Sequence, residues 1–477
     1  MTERADGEIR VIDPQRAYTW EGWGTCLSWW ANTELGTRDD LAAVLFGLDP
    51  VKVRTTKRQV ELPGLGLNIV RYNLGACTWT ERTRGRRRMV ESPAIVRRKQ
   101  IGEFWDGEHW DWCADANQWA MLTKARDNGA DTFEMFSVSP PWWMTANGNP
   151  SGAERGQDDN LLRSNQEAFA HLIAMVTRHA RDEWGIRFQS VEPFNEPSLN
   201  AWHAGQNQEG CHFTVEAQEA VIACLRRELD GHGLRDVLIA ASDECYYSQA
   251  VNTWRSFPEP IRAMIGRVNV HGYDRDRDPK NRIALRETVG DAMPVWQAEY
   301  SEGEPDGLTM ALSIGRDVRY LRPRGWVCWQ PVESLDWGLL DGGYDDQTVN
   351  PDGHAKGTLE GEVTGVNTKY YVLAHYTRHI RPMAQILDSG HADTVAALDP
   401  TARCLTLVTA NDGGPRTVTY DLGRLIRTGG TVRTWVTDTS DSWTARHYTR
   451  EPDTFTSDRT LTVHQTARTI TTLEIDL

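Results

Sequence analysis

The sequence lacks the patterns that mark redox, metal and membrane proteins. Its eight cysteines form no Cys-x-x-Cys motif and have no spacing typical of zinc ligands, so they indicate no metal site. No stretch reaches the ~20 apolar residues of a membrane-spanning helix, and the N-terminus has no apolar signal-peptide core. The sequence therefore predicts a protein with no membrane partner, which is cytoplasmic, or secreted if a leader has already been removed.

Positive charge is also scarce. The chain has 52 Lys and Arg against 67 Asp and Glu, which gives a formal net charge of −15. Phosphate binding needs clustered basic residues, so no nucleic-acid partner is expected. One basic run lies between Arg82 and Lys99, and because no aromatic residues interleave it, the run is interpreted as a solvated surface segment. The oligomeric state is left open.

Tryptophan, by contrast, is abundant, with 20 residues in a chain of 477. Indole rings fill large cores, and their faces also stack on the C–H-rich faces of sugar rings. Several of these tryptophans lie near the polar motifs described below. That clustering favours a carbohydrate as the binding partner.

Eight short β-rich runs ending in polar residues follow one another along the chain. They are EGWGTCLSW (from Glu21), LNIVRYNLG (Leu67), DTFEMFSVSPP (Asp131), FQSVEPFNEP (Phe188), DVLIAASDE (Asp236), RVNVHGY (Arg267), PVWQAEYSE (Pro294) and RGWVCWQPVE (Arg324). Helix-like segments separate most of them, with clear examples beginning at Asn165, Val215 and Lys369. This alternation predicts an α/β fold, a (β/α)8 TIM barrel; a doubly wound sheet is the alternative, but no GxGxxG follows the first strand.

The character of the chain changes after Pro382. Thr- and Val-rich alternating runs follow (LTLVTAND, RTVTYDLG, TVRTWVTD and RTLTVHQ), and no helical pattern lies between them. The sequence therefore predicts a catalytic barrel over residues 20–383 and a small antiparallel β side domain over 384–477. The opening strand GEIRVID, within residues 1–19, is expected to join the side domain.

The ends of the eight runs carry the candidate chemistry, because a barrel of this kind builds its active site at the carboxyl ends of its strands. These ends hold Arg71, Trp142 with Trp143, Asn195 with Glu196, Asp243 with Glu244, His271 with Tyr273, Glu299, and Trp329. Cleavage of a glycosidic bond needs two carboxyl groups, and Glu196 and Glu299 end strands four and seven. Each has another interpretation: Glu196 could start a helix, and Glu299 could belong to a solvated acidic loop.

Five further residues are predicted to bind substrate. Asn195 is placed to bond a sugar hydroxyl, and Tyr273 is placed to support the charged form of a nucleophilic carboxylate. Arg71 could do likewise by a charge-assisted contact, or could simply brace the barrel interior. Trp142 and Trp329 are candidates for stacking on sugar rings. His271 is interpreted as a structural histidine, and Asp243 and Glu244 could either line a subsite or cap the next helix.

These residues and motifs resemble those of glycoside hydrolase family 30. The matching pieces span Glu21 to Pro382 and include EGWGTCLSWWA, NIVRYNLGAC, SPPWWMTANGNPSG, SVEPFNEP, VNVHGY and WQAEYSEGE. The resemblance implies a retaining mechanism by double displacement without a cofactor, with Glu196 as acid/base and Glu299 as nucleophile. It places contacts to the sugar at the scissile bond on Arg71, Trp142, Asn195, Tyr273 and Trp329.

Within the family, GTCLSWWA, MTANGNPSG and WHAGQNQEGCHF look most like the endo-β-1,6-galactanase branch, which implies β-1,6-galactan as the substrate. Thr78 stands after Cys77 where glucosylceramidase-type members have Asp, and the basic cluster of glucuronoxylanases is not apparent. The alternatives are an exo-acting β-galactosidase or galactobiohydrolase, another β-glycosidase of the family, and a non-catalytic carbohydrate-binding protein. A metal-dependent hydrolase is disfavoured, since only His271 qualifies as a strand-end histidine ligand.

Overall fold

The computed structural model describes residues 9–78, 83–84, 87–90, 92, 95, 98–274, 277–344, 361–425, 430–440, 445–456 and 459–477. Part of the basic run between Arg82 and Lys99, and the first residues of the opening segment, lie outside these ranges. None of the helices in the described part is long and apolar enough to cross a membrane.

Eight parallel strands close into a barrel. In chain order they are β1 (Gly22–Cys26), β2 (Ile69–Asn73), β3 (Thr132–Phe136), β4 (Phe188–Glu192), β5 (Leu238–Glu244), β6 (Ile265–His271), β7 (Val295–Tyr300) and β8 (Gly325–Cys328). Each strand pairs with its sequence neighbours, and β8 closes the barrel on β1 with Gly325 opposite Gly22. The strands are buried on both faces, which explains their nearly continuous apolar character. The predicted TIM barrel is confirmed.

Helices follow the strands around the outside. They are α1 (Asp39–Phe46), α2 (Ala116–Asp127), α3 (Gln166–His179), α4 (Val215–Gly231), α5 (Tyr247–Ser256), the single-turn α6 (Glu259–Arg262), α7 (Lys280–Val289), α8 (Leu308–Arg316) and α9 (Thr368–Thr377). The Thr214 side chain caps the start of α4 by accepting from the Ala217 amide, as its position before an apolar-periodic segment favours. Residues 180–184 extend α3 as a π-helical turn that stops at Gly185, whose φ of 65° suits glycine.

Two facing sheets form the second unit. The larger contains Asp13–Thr19, Gln385–Asp388, Thr394–Asp399, Cys404–Asn411, Thr469–Asp476, Gly430–Asp438, Thr449–Arg450 and Thr454–Thr456, and the smaller contains Ile9–Val11, Arg416–Asp421 and Thr460–Gln465. Apolar residues from both sheets, such as Leu407 and Val418, share one core. Asp13–Thr19 pairs antiparallel with Gln385–Asp388, so this segment, which precedes the barrel, is part of the second unit.

One pairing in this unit differs from the antiparallel module expected from the sequence. Ile9–Val11 runs parallel to Arg416–Asp421, with Ile9 opposite Thr419. The alternation of apolar and polar residues specifies which face of a strand is buried, but it does not specify the direction of the neighbouring strand. Between the two units, His375 of α9 lies within hydrogen-bonding distance of the Thr437 and Thr472 hydroxyls, and both contacts are buried.

Candidate active site

A cavity of about 290 Å³ opens at the carboxyl ends of the barrel strands. Its lining is rich in tryptophan, carboxylate and amide side chains, as expected of a carbohydrate site. The lining residues are Trp29, Arg98, Val138, Asn195, Glu196, Ala201, Trp202, Gln206, Asn207, Gln208, Tyr273, Glu299, Trp329, Glu333 and Trp337. Both candidate catalytic glutamates therefore face one cavity.

Glu196 is held by its backbone in the loop that follows β4. Its φ is 50°, in the left-handed region that a non-glycine residue adopts at a cost. Its amide donates to the Asp243 carbonyl at 2.8 Å, and its carbonyl accepts from the Trp202 indole at 3.0 Å. These two bonds fix the backbone at this residue. The alternative that Glu196 starts a helix is wrong, because α4 begins only at Val215.

Glu299 lies in β7, and its side chain is 6% exposed. The alternative of a solvated acidic loop is therefore wrong. The Tyr273 hydroxyl donates to Glu299 Oε1 at 2.9 Å, and Arg71 Nη1 lies 3.7 Å from Oε2. Burial raises the pKa of Glu299 to about 7, and the nearby Glu196 carboxylate acts in the same direction.

His271, at the end of β6, lies between the two glutamates. Its Nδ1 is 3.2 Å from Glu196 Oε1 and 3.4 Å from Glu299 Oε1, and its Nε2 is 3.1 Å from Asp243 Oδ2. Burial alone would lower the pKa of His271, but the Glu299 and Asp243 carboxylates outweigh it and hold that pKa well above its usual value. The imidazolium in turn opposes the raised pKa of Glu299.

The two glutamates are close enough for a retaining reaction. One carboxylate oxygen of Glu196, one of Glu299 and a His271 ring nitrogen all lie within 4.8 Å of one another. Retaining glycosidases separate their carboxyl groups by about 5–5.5 Å, whereas inverting enzymes need about 6.5–9.5 Å to admit a water molecule. The spacing therefore fits direct attack by a carboxylate.

A buried ion-pair network around Arg71 lies beneath Glu299 and His271. Arg71 is fully buried, and it donates to Glu134 Oε1 at 2.9 Å, to Asp243 Oδ2 at 2.6 Å and to the Ala298 carbonyl at 3.0 Å. Burial acts to raise the pKa of Asp243, but Arg71 and His271 outweigh it and lower that pKa. The structure thus places Arg71 beneath the cavity, where it braces β2, β3, β5 and β7, and Arg71 is not among the lining residues.

Of the other residues predicted to bind substrate, three line the cavity and one does not. Asn195, Tyr273 and Trp329 are lining residues, and Asn195 Oδ1 is buried without a protein partner among the described residues. Trp142 is 1% exposed, and its indole donates to Glu103 Oε1 at 3.2 Å. It follows β3 in a turn that directs the ring into the protein, so the structure does not bring it to the cavity as a stacking surface.

The two acidic residues at the end of β5 also lie outside the cavity. Asp243 belongs to the Arg71 network, and Glu244 accepts from the Ser198 hydroxyl at 2.7 Å and from the Thr253 hydroxyl at 2.6 Å. Glu244 thereby ties the loop that follows Glu196 to α5. Neither side chain lines a subsite.

Several residues of the site were not predicted from the sequence. His271 was interpreted as structural, because its strand-end context alone does not reveal its contacts with both glutamates. The other residues that were missed line the cavity. Trp29 meets Trp329 edge-to-face at 5.2 Å, and Arg98, at the end of the basic run, stands 4.9 Å over the Trp29 ring. Trp202 lies in the same WHAGQNQEGCHF segment as the lining residues Gln206 and Gln208. These side chains reach the rim on loops, for which a single sequence gives no position.

Comparison with known proteins agrees with this geometry. The sequence model described as O-Glycosyl hydrolase family 30 matches residues 10–254, slightly more than half of the chain. The chain belongs to glycoside hydrolase family 30. This family 30 enzyme is 41% identical to an endo-β-1,6-galactanase of Hypocrea rufa over 460 aligned residues. The alignment covers 94% of this chain and 90% of that protein.

A second relative is more distant. The family 30 enzyme is 23% identical to an exo-β-1,6-galactobiohydrolase of Bifidobacterium longum subsp. longum, across 88% of this chain but only 35% of that longer protein. Membership of the family makes this protein a retaining glycoside hydrolase, and the family predicted from the sequence is confirmed.

Solved structures of similar fold extend over nearly the whole chain. A conserved exported protein from Bacteroides fragilis aligns with a TM-score of 0.76 at 16% identity, over 98% of this chain and 100% of that chain. The catalytic domain of the family 30 xylanase C from Talaromyces cellulolyticus aligns with a TM-score of 0.65 at 18% identity, also over 98% of this chain and 100% of that chain. Both likenesses support the fold.

Proposed function

We propose that this family 30 enzyme is an endo-β-1,6-galactanase that works by double displacement. The observation that carries the proposal is the pair Glu196 and Glu299, which have one carboxylate oxygen each within 4.8 Å of the other in a tryptophan-lined cavity. The 41% identity to an endo-β-1,6-galactanase over nearly the full length supplies the substrate class.

In the first step Glu299 is the nucleophile. Its carboxylate attacks the anomeric carbon, the glycosidic C–O bond breaks, and the leaving oxygen takes the proton from the Glu196 carboxyl. Tyr273 and His271 face Glu299 and favour its charged form, by a hydrogen bond and by positive charge respectively. A covalent galactosyl ester on Glu299 and a shortened galactan result.

In the second step Glu196 works as a base. It removes a proton from a water molecule, the oxygen of which attacks the anomeric carbon, and the Glu299 carboxylate leaves with the bonding electrons. Glu196 is thereby protonated again. Two inversions at one carbon give overall retention of the β configuration.

Neighbouring groups supply binding and position. Asn195 lies next to Glu196 and has a buried amide oxygen free to accept from a sugar hydroxyl, an interaction that strengthens in the transition state. Trp329 and Trp29 offer indole surface to the sugar rings at the cavity wall. Arg71 acts on the reaction through Glu299 and Asp243 and is a positioning residue.

The substrate is tested by product analysis on β-1,6-galacto-oligosaccharides of graded length, with a β-1,3-galactan and a xylan as controls. Mixed oligomers from the β-1,6-linked series alone are expected. Release of only galactose or galactobiose from every length would contradict endo action and favour the exo alternative. No release from any β-1,6-galactan would exclude the substrate assignment.

The catalytic roles are tested by azide rescue with a β-galactoside that carries an activated leaving group. Glu299→Ala is expected to be inactive without azide and to form the α-galactosyl azide with it, since azide enters the space that the carboxylate vacates. Glu196→Ala is expected to give the β-galactosyl azide instead. Near-wild-type hydrolysis by Glu299→Ala would exclude it as the nucleophile.

A further inference from the structure

Three side chains of metal-ligand type meet on the outer helical layer of the barrel. His171 lies on α3, Glu228 lies in the last turns of α4, and His232 directly follows α4. One donor atom from each lies within 4.8 Å of the other two. None of the three lines the catalytic cavity, and the proposed hydrolysis does not use them.

We propose that His171, Glu228 and His232 form a zinc site that joins α3 to α4. Two imidazoles and one carboxylate are a donor set that suits Zn²⁺, whereas Ca²⁺ and Mg²⁺ prefer sites built of oxygen. Three protein ligands leave the fourth tetrahedral position to water.

The distances between the donor atoms fit such a site. His171 Nδ1 is 2.8 Å from Glu228 Oε2, and His232 Nε2 is 3.5 Å from the same oxygen. Ligand atoms on a tetrahedral zinc with bonds of about 2.0–2.1 Å stand about 3.4 Å apart. Glu228 lies in the last turns of α4 and His232 directly follows the helix, so the two side chains meet at its carboxyl end.

The surroundings favour a cation and leave it accessible. The side chains of His171, Glu228 and His232 are 36%, 26% and 27% exposed, so an ion can enter and keep a water ligand. The carboxyl end of α4 contributes the negative end of its helix dipole. The Trp105 and Trp110 rings stand edge-on to the His171 ring at 5.5 and 6.3 Å, which restricts its orientation.

Two arginines lie nearby, and both are engaged with carboxylates. Arg178 donates to the His232 carbonyl at 3.4 Å and pairs with Asp182 at 3.1 Å. Arg227 pairs with Glu167 at 2.9 Å. Their positive charges are therefore partly neutralised, and the Glu228 carboxylate remains available to the ion.

The site is tested by zinc titration of protein that has been stripped with a chelator, using calorimetry and thermal unfolding. One zinc per chain and a higher Tm are expected for the wild type, with no response to Ca²⁺. His171→Ala and His232→Ala should each lose about tenfold or more in zinc affinity, since even indirect supports of a metal ligand are worth that much. Glu228→Gln should weaken zinc binding while retaining an acceptor for His171.

Two controls separate this site from others. His212 Nδ1 lies 3.1 Å from Asp159 Oδ1, in another histidine–carboxylate pair. His212→Ala removes this pair and should leave the zinc affinity unchanged. Hydrolytic activity is followed during the titration, because zinc in the Glu196–His271–Glu299 cluster would inhibit the enzyme. Equal zinc affinity in the wild type, His171→Ala and His232→Ala would overturn the proposal, as would a site whose only effect is inhibition.

Discussion

Replacement of Tyr273 by Phe tests how the nucleophile is kept charged. The phenol donates to Glu299 Oε1 at 2.9 Å, and burial holds the pKa of Tyr273 well above its usual value, so the hydroxyl stays a donor across the neutral range. A hydrogen bond to a charged group is worth about 1.5–3 kcal/mol, which corresponds to about one to two pKa units. Without it, the pKa of Glu299 should rise from about 7 to about 8–9.

The assay is kcat/KM against pH, which reports the ionisation of the free enzyme. A nucleophile must be deprotonated, so activity falls as the pH drops below the pKa of Glu299. In Tyr273→Phe this acidic limb should move up by about one to two units, and kcat/KM at pH 6 should fall by about 10- to 100-fold. Tyr376→Phe, which removes a buried hydroxyl bond to Ala311 elsewhere in the protein, is the matched control. An unchanged acidic limb in Tyr273→Phe would refute the reasoning.

Three further predictions follow from the same geometry. Glu209 is fully buried, and burial raises its pKa to about 7, so the folded protein binds this proton more tightly than the unfolded chain and stability should fall as the pH rises from about 4.5 to 7. Glu209→Gln should remove this pH dependence and raise Tm at pH 8 but not at pH 4. The same Tm difference at both pH values would contradict the prediction. Trp329→Ala should raise KM about tenfold or more because a stacking surface for the sugar is lost, whereas Trp142→Phe should lower Tm and leave KM unchanged. An equal effect of both variants on KM would contradict the placement of the two rings. Arg71→Met should lower the free energy of unfolding, measured by denaturant titration, by about 3–5 kcal/mol, because it leaves Glu134 and Asp243 buried without their partner. A loss below about 1 kcal/mol would count against a stabilising role of that network.

The barrel could be predicted from the sequence because its signal is local. A strand buried on both faces is a short apolar run, and the polar residue that ends it marks the rim. Seven of the eight predicted runs contain a whole barrel strand, and the run from Arg267 covers all but the first two residues of β6. Glu196 follows the fourth strand, and Glu299 is the last but one residue of the seventh. The pairing of those two glutamates was predicted from strand order alone, since closing the barrel brings strands four and seven to the same rim.

The sequence was a poorer guide to the role of a single side chain where that role depends on the direction in which the side chain points. Trp142 sits in a strand-end motif, yet the turn after β3 points its ring away from the cavity and towards Glu103. His271 has an ordinary strand-end sequence context, and its contact with both glutamates becomes visible only when β4, β6 and β7 are assembled. Residue type and spacing do not encode these orientations.

The sequence by itself determined the eight strands, the strand-end carboxylates and the family, because apolar periodicity and short motifs are properties of neighbouring residues. Tertiary structure decided which groups touch: His271 between two glutamates, Arg71 beneath Glu299, and His171 beside Glu228 across two helices. Those contacts join residues that are tens to hundreds of positions apart. Their distances are set by strand register and helix packing, which no local pattern records.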